Sequence, residues 1–137
     1  MVGLVTFNDV PAQCIKQASD MYHVPAIIIL SVLKTEDARN GTASRNKNGS
    51  YDYGPLQINS TWLPTLAHYG ITKHDVQYNP CINVQVGTWI LAQAITESPN
   101  HVWRGVGNYN SHTPYYNKIY ATRVKKWQQI FKYYSEL

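Results

Sequence analysis

Positions 26–33 read Ala-Ile-Ile-Ile-Leu-Ser-Val-Leu, apolar on every side of a helix rather than along one stripe, which predicts a helix buried nearly all round. Pro25 suits its first turn, Thr35-Glu36-Asp37-Ala38 continue it, and Asn40-Gly41 stops it. Ahead of it, Pro11 to His23 places Cys14, Ile15, Ala18 and Tyr22 on one face of a first amphipathic helix. Asn48-Gly49 is a strong type I′ hairpin signal, predicting short strands across 43–46 and 51–53, and a glycine-flanked strand carrying Gln57 and Asn59 follows. Ser60 can cap a helix that runs through Leu66 and ends at Gly70. Asn79-Pro80 opens a longer helix through Trp89 and Leu91 to about Glu97, broken by Ser98-Pro99. A short helix around Trp103 to Tyr109 comes next. The last helix carries Tyr120, Val124, Trp127, Phe131 and Tyr134 at spacings of four and three; this stripe docks either on the protein's own core, the favoured reading, or on a partner helix. The pattern is mainly α with a small β-hairpin, and it contains no repeat, linker or low-complexity stretch.

Composition narrows the class. A chain of 137 residues suffices for one core, so residues 1–137 are read as a single domain with its core over about 12–134. Apolar residues make up 44% and charged residues 15%, which excludes a disordered or coiled-coil chain. Eleven Tyr and four Trp offer faces that stack on sugars and bases alike. A net charge of +4 suits an anionic polymer, but no run longer than Lys125-Lys126 forms a stripe for nucleic acid, and none is expected as a partner. The five His have no metal-ligand spacing, and no metal or other cofactor is expected. No segment is long and apolar enough to span a membrane, and the first 13 residues lack the charged start and apolar stretch of a signal peptide. Cys14 and Cys81 form no CxxC pattern; they are either a bridge between two helices or two buried thiols.

Glu36 falls in the last turn of the apolar helix, where the helix dipole is negative and the wall apolar. Both disfavour a carboxylate, which keeps the group protonated near neutral pH, as a general acid requires. The plain alternative is a solvated helix-end Glu paired with Lys34 or Arg39. A second acid, Asp52, lies after the hairpin turn, and Gln57 and Asn59 follow within a few residues. An acid held in a poorly solvated place, a second carboxylate and amides that orient a sugar are the parts of a glycoside-cleaving cleft. Asp52 read plainly is a residue satisfying backbone N–H groups near the turn. Trp62, Trp89 and Trp103 read first as core, with Trp62 the best placed to serve as a sugar platform. The Asn40, Asn48 and Asn59 triplets match a glycosylation acceptor pattern, which we set aside because Asn48 and Asn59 have structural readings.

The stretch Tyr51-Asp-Tyr-Gly-Pro-Leu-Gln-Ile-Asn-Ser60 resembles the active-site segment of c-type lysozymes. It equally resembles the small lytic transglycosylases carried by bacterial secretion, conjugation and pilus systems, where a catalytic Glu precedes a Ser and a Gly-x-x-Gln-Ile-Asn segment. Ser44, Gly54 and Gln57-Ile58-Asn59 fill those places. Gly105-Val-Gly-Asn-Tyr-Asn-Ser111 is similar to the transglycosylase motif whose Tyr hydrogen-bonds the catalytic Glu, which assigns that role to Tyr109. Asn79-Pro-Cys-Ile-Asn83 and a Cys at the start of the first helix match as well, and the resemblance covers roughly residues 12–120. C-type lysozymes carry several disulfides that two cysteines cannot reproduce, so the whole-chain resemblance is to the transglycosylases. Asp37, where relatives commonly have Ser or Gly, is a departure; adjacent helical side chains point about 100° apart, so Asp37 is expected to face solvent. Pro55 and Leu56 depart too, and Pro55, lacking a backbone donor, suits an edge or turn.

The resemblance implies a lysozyme-like fold of the goose-lysozyme/transglycosylase type with a hairpin beside a cleft. It also implies an oxidising compartment, which favours a Cys14–Cys81 disulfide. It implies a periplasmic, monomeric peptidoglycan lytic transglycosylase with Glu36 and Asp52 as catalytic groups and Ser44, Gln57, Asn59, Tyr109 and Trp62 on the substrate. Its partners would be glycan strands and components of a secretion or pilus apparatus. If the protein is exported, the chain reads as a mature form with an added Met. Two alternatives stand beside this: a muramidase that uses Glu36, Asp52 and water, and a non-catalytic glycan-binding scaffold.

Overall fold

A computed structural model describes residues 5–136. The chain opens with a two-stranded hairpin, β1 (Thr6–Phe7) and β2 (Val10–Pro11), joined by Asn8 and Asp9, both at positive φ (51° and 69°). A two-residue loop with both φ positive is the type I′ geometry, and Asn and Asp tolerate it. Helix α1 (Ala12–Tyr22) buries Cys14, Ile15 and Ala18, and the left-handed His23 ends it. Helix α2 (Ala26–Glu36) buries Ile28, Ile29, Ser31, Val32 and Leu33. Ser31 Oγ and Thr35 Oγ1 donate to the carbonyls of Ile27 and Ser31, which satisfies both hydroxyls inside the helix.

Helix α2 stops earlier than its sequence predicts. Asp37 takes the left-handed cap position (φ 49°) and is exposed, as expected, while the helix does not reach Ala38. The N-terminal hairpin explains this. Asp9 accepts two hydrogen bonds from the Arg39 guanidinium (3.0 and 2.7 Å) and one from the Asn40 N–H, and Asn8 Nδ2 donates to the Ala38 carbonyl. The chain is pulled off the helix axis immediately after Glu36, leaving that side chain on the helix rim.

A three-stranded antiparallel sheet follows in the order β3 (Ala43–Arg45), β4 (Tyr51–Tyr53), β5 (Ile58–Asn59), with Ser44 opposite Asp52 and Asp52 opposite Asn59. The expected type I′ turn at Asn48-Gly49 does not form. Gly49 alone has positive φ (86°), its N–H donates to the Asn46 carbonyl, and Asn46 pairs with Ser50. This is a three-residue loop closed by a left-handed glycine, and it leaves the Asn48 side chain free to bond Ser50. Gln57, expected on a strand, lies on the turn before β5 at φ 52°.

Asn59 rather than Ser60 caps the next segment, a 3₁₀ turn over Ser60–Trp62 leading into α3 (Leu63–Ala67); Asn59 Oδ1 accepts the Thr61 N–H while Ser60 Oγ accepts from Tyr51. Helix α4 (Lys73–Tyr78), absent from the hydrophobic pattern, is held by a reciprocal capping box between Thr72 and Asp75. The Asn79-Pro80 signal does open α5 (Pro80–Thr96), which buries Val84, Val86, Ile90, Leu91 and Ala94 and forms the centre of the fold. Helices α6 (Val102–Asn108) and α7 (Pro114–Ser135) complete it, with α2 packed on α7 and α1 and α6 on α5. The α7 stripe docks on the protein's own core through Tyr120 and Val124. It then runs out: Trp127 and Phe131 are half-buried and Tyr134 is exposed. Cys14 and Cys81 are joined in a disulfide that ties α1 to the start of α5. The architecture is mainly helical α+β with a small sheet beside the helices, as the sequence pattern predicts.

Two contacts of α5 set the turn between β4 and β5. Buried Asn83 accepts the Leu56 N–H and donates to the carbonyls of Tyr53 and Val76, all at 2.8 Å. Gly87 lets the helix approach so closely that an added Cβ would sit 2.4 Å from Leu56 Cδ1 and 2.7 Å from its Cβ. Leu56 is 1% exposed and has nowhere to retreat. The variant Gly87→Ala is therefore expected to lose about 2 kcal/mol in urea unfolding despite the better helix propensity of Ala.

Candidate active site

The sheet, the end of α2 and the end of α6 enclose a cleft of about 330 Å³. Glu36, Asp52, Gln57, Asn59, Trp62 and Tyr109, chosen from the sequence, all line it. Ser44 does not: it is exposed on β3, across from Asp52 but outside the lining. Asn46, Asn48, Ser50 and Asn110 line the cleft without having been singled out for it. Their signal was local amide and hydroxyl density, which the turn reading of Asn48-Gly49 absorbed.

Glu36 is half-buried at the C-terminal rim of α2, and its Oε2 accepts a hydrogen bond of 2.6 Å from the Tyr120 hydroxyl. Burial pushes its carboxyl up to about 7 and the nearby Asp52 charge adds to this, while the Tyr120 bond and the Arg123 charge hold it back. Near neutral pH both its protonated and its ionised forms are within reach, so the group can give a proton and take one back. The phenols of Tyr109 and Tyr120 lie well above their ordinary range, burial first and then the Glu36 charge raising them, so both remain donors.

The bond to Glu36 expected of Tyr109 is thus made by Tyr120, from the middle of α7. Tyr109 instead donates to the Leu56 carbonyl, fastening the end of α6 to the turn that carries Gln57, and its ring stacks on Tyr120 with centroids 6.4 Å apart. In the sequence Tyr120 reads as one apolar member of a helical stripe. Its hydroxyl, which needs a partner when buried, was the available signal. Removing that hydroxyl in Tyr120→Phe is expected to raise the Glu36 pKa by about one unit, read by NMR titration of the carboxyl carbon, whereas Tyr109→Phe leaves it in place.

Asp52 sits on β4 and accepts one hydrogen bond among the described residues, 2.9 Å from Asn59 Nδ2. Asn59 Nδ2 and Asn46 Nδ2 also reach Ser50 Oγ at 3.0 Å, and Ser50 Oγ donates to Asn48 Oδ1. A network of amides and a hydroxyl therefore fixes Asp52 from the hairpin side; its partner is a side chain, not the backbone N–H groups of a turn. Gln57 Nε2 donates to the Gly54 carbonyl, which locks the left-handed turn residue and leaves its oxygen for the cleft. Trp62 packs edge-on to Trp89, centroids 5.5 Å apart, with part of its surface on the cleft wall. Among the described residues no group of three or more His, Cys, Asp or Glu could hold a metal ion, and no helix is long and apolar enough to cross a membrane.

The family model described as "Transglycosylase SLT domain" matches residues 13–131. The chain is 31% identical to "Invasion protein IagB" of Salmonella typhimurium, over 96% of this chain and 84% of that protein. It is 28% identical to "Protein IpgF" of Shigella flexneri (92% and 82% covered) and 28% to a "Peptidoglycan-binding-like protein" of Escherichia coli O157:H7 (90% and 77%).

Proposed function

The chain belongs to the transglycosylase SLT domain family, and from that premise we propose that it is a peptidoglycan lytic transglycosylase using Glu36 as its acid and base. The observation that carries the reading is Glu36 itself, a half-buried carboxyl pushed up to about 7, sharing with Asp52 a cleft walled by amides. The bond broken is the β-1,4 link between N-acetylmuramic acid and N-acetylglucosamine. Glu36 protonates the bridging oxygen as the C1–O bond opens, and Asp52 stabilises the positive charge growing on the muramyl ring, together with that sugar's N-acetyl group. Glu36, now ionised, takes the proton from the muramyl C6 hydroxyl, whose oxygen closes on C1 to give a 1,6-anhydro end. Atoms balance without water, and Glu36 ends as it began.

Tyr120 orients the acid. Gln57, Asn59 and the hairpin amides hold the sugar's hydroxyl and acetamido groups, and Tyr109 and Trp62 wall the site. The setting that goes with this reading is local wall opening for a secretion, conjugation or pilus apparatus, on the periplasmic side, where the Cys14–Cys81 bridge persists. A hydrolytic muramidase is the second reading. Asp52 favours it, because a fixed carboxylate opposite the acid is the arrangement of retaining glycosidases.

Mass spectrometry of muropeptides released from purified peptidoglycan separates the two. Products ending in 1,6-anhydromuramic acid are expected; reducing ends would make the protein a hydrolase, and no product from correctly folded protein would end both readings.

A further inference from the structure

Glu36 is a wall shared by two hollows. Beyond it, on the α7 side, lies a second space of about 240 Å³ bounded by Thr35, Asn110, Tyr116, Ile119, Tyr120 and Arg123. Glu36 and Asn110 line both, so the two hollows adjoin at Glu36. The two differ in charge: the hairpin side contains no Lys, Arg or His, whereas the α7 side presents a guanidinium. Arg123 is exposed and makes no ion pair among the described residues, where the pairs are Asp9–Arg39 and Glu97–His112. Tyr116 and Ile119, 58% and 45% exposed, share its face of α7 two turns and one turn earlier. An unpaired guanidinium beside an exposed aromatic ring has planar donors that match a carboxylate.

We propose that the Arg123 hollow binds a carboxylate borne by a muramyl residue on the leaving side of the glycan. The proposal rests on the cleavage reading above. A strand cut at Glu36 must extend to both sides of it. Asp52 takes the side whose anomeric carbon becomes positive, so the departing strand runs over α7. Its first sugar is neutral; its second carries, through the lactyl ether, the peptide stem, whose free carboxyls are the anionic groups of the polymer. Arg123 meets the one part of the substrate that distinguishes it from chitin.

The test uses Glu36→Gln protein, which binds without cutting, sedimented with insoluble peptidoglycan in its native form and after its carboxyls are converted to primary amides. Glu36→Gln is expected to bind native material about tenfold more tightly than amidated material, and adding Arg123→Gln is expected to abolish that preference. Adding Lys126→Gln instead removes the same charge from the exposed side of α7 and is expected to keep it. Stripping stems with an amidase exposes lactyl carboxyls that the amide bond had blocked: a preference that vanishes there assigns the stem carboxyls, and one that persists shows that the hollow also takes a carboxylate directly on the sugar. A double variant carrying Arg123→Gln that still prefers native material, or a Lys126→Gln effect of equal size, overturns the proposal. Wild-type protein that cuts nothing while its Glu36→Gln form shows the Arg123-dependent preference would defeat the cleavage reading alone.

Discussion

Glu36→Gln is expected to slow release of glycan fragments by about 10⁴-fold and, at alkaline pH, to make the protein more stable. The rate loss is large because one carboxyl serves twice, giving a proton to the bridging oxygen and taking one from the C6 hydroxyl, and an amide does neither. The stability gain follows from proton binding. The carboxyl has an ordinary value of 4.5 in the unfolded chain and is pushed to about 7 in the fold. Between those values the folded state holds the proton more tightly, so wild-type stability falls as pH rises from 4.5 to about 7 and levels off above. The difference reaches about 3 kcal/mol, at about 1.4 kcal/mol per pH unit. Gln has no such titration. Urea unfolding at pH 5 and pH 8 is expected to show the wild type losing stability between them relative to Glu36→Gln. A variant keeping more than a tenth of the wild-type rate would remove Glu36 from the chemistry.

The second large effect belongs to Asp52. Its replacement in Asp52→Asn keeps the size and an acceptor for the Asn59 amide, so the hairpin network survives while the charge is lost. The rate is expected to fall about 10²-fold, the cost of withdrawing a negative group from a developing cation. The same substitution removes a charge that raises the Glu36 carboxyl, so the alkaline limb of the pH–rate profile moves to lower pH. A loss of tenfold or less would mean that the substrate's N-acetyl group carries the cation alone and that Asp52 serves to shape the hairpin. A loss as deep as that of Glu36→Gln, with reducing-end products, would identify Asp52 as the nucleophile of a hydrolase.

Much of the fold was legible because its signals are local. Asn79-Pro80 opens α5 through a cap within three residues, with Asn79 Oδ1 accepting the Ile82 N–H. The apolar density of 26–33 places α2 in the core. What the pattern missed was short or set from a distance. The β1–β2 hairpin and α4 are too brief to establish a period. The turn at Asn48-Gly49 gave way to a longer loop because Asn46 pairs with Ser50, while the type I′ geometry appeared at Asn8-Asp9, a less conspicuous pair.

The candidate site divides in the same way. Motif and spacing were enough to single out Glu36, Asp52, Gln57 and Asn59, since three of the four lie within eight residues and their side chains answer to one small sheet. Neither motif nor spacing could say which tyrosine meets the acid. Tyr109 and Tyr120 both approach Glu36, and the choice rests on where α7 lies against α2, a contact spanning 84 positions of chain. The end of α2 at Glu36 likewise depends on Asp9 and Asn8, about thirty residues upstream. Residue order by itself determined which groups are available and which helices carry them, because propensity and capping act over a few residues. Only tertiary packing decided which hydroxyl and which charges face the carboxyl, because hydrogen-bond geometry is set by how whole helices dock.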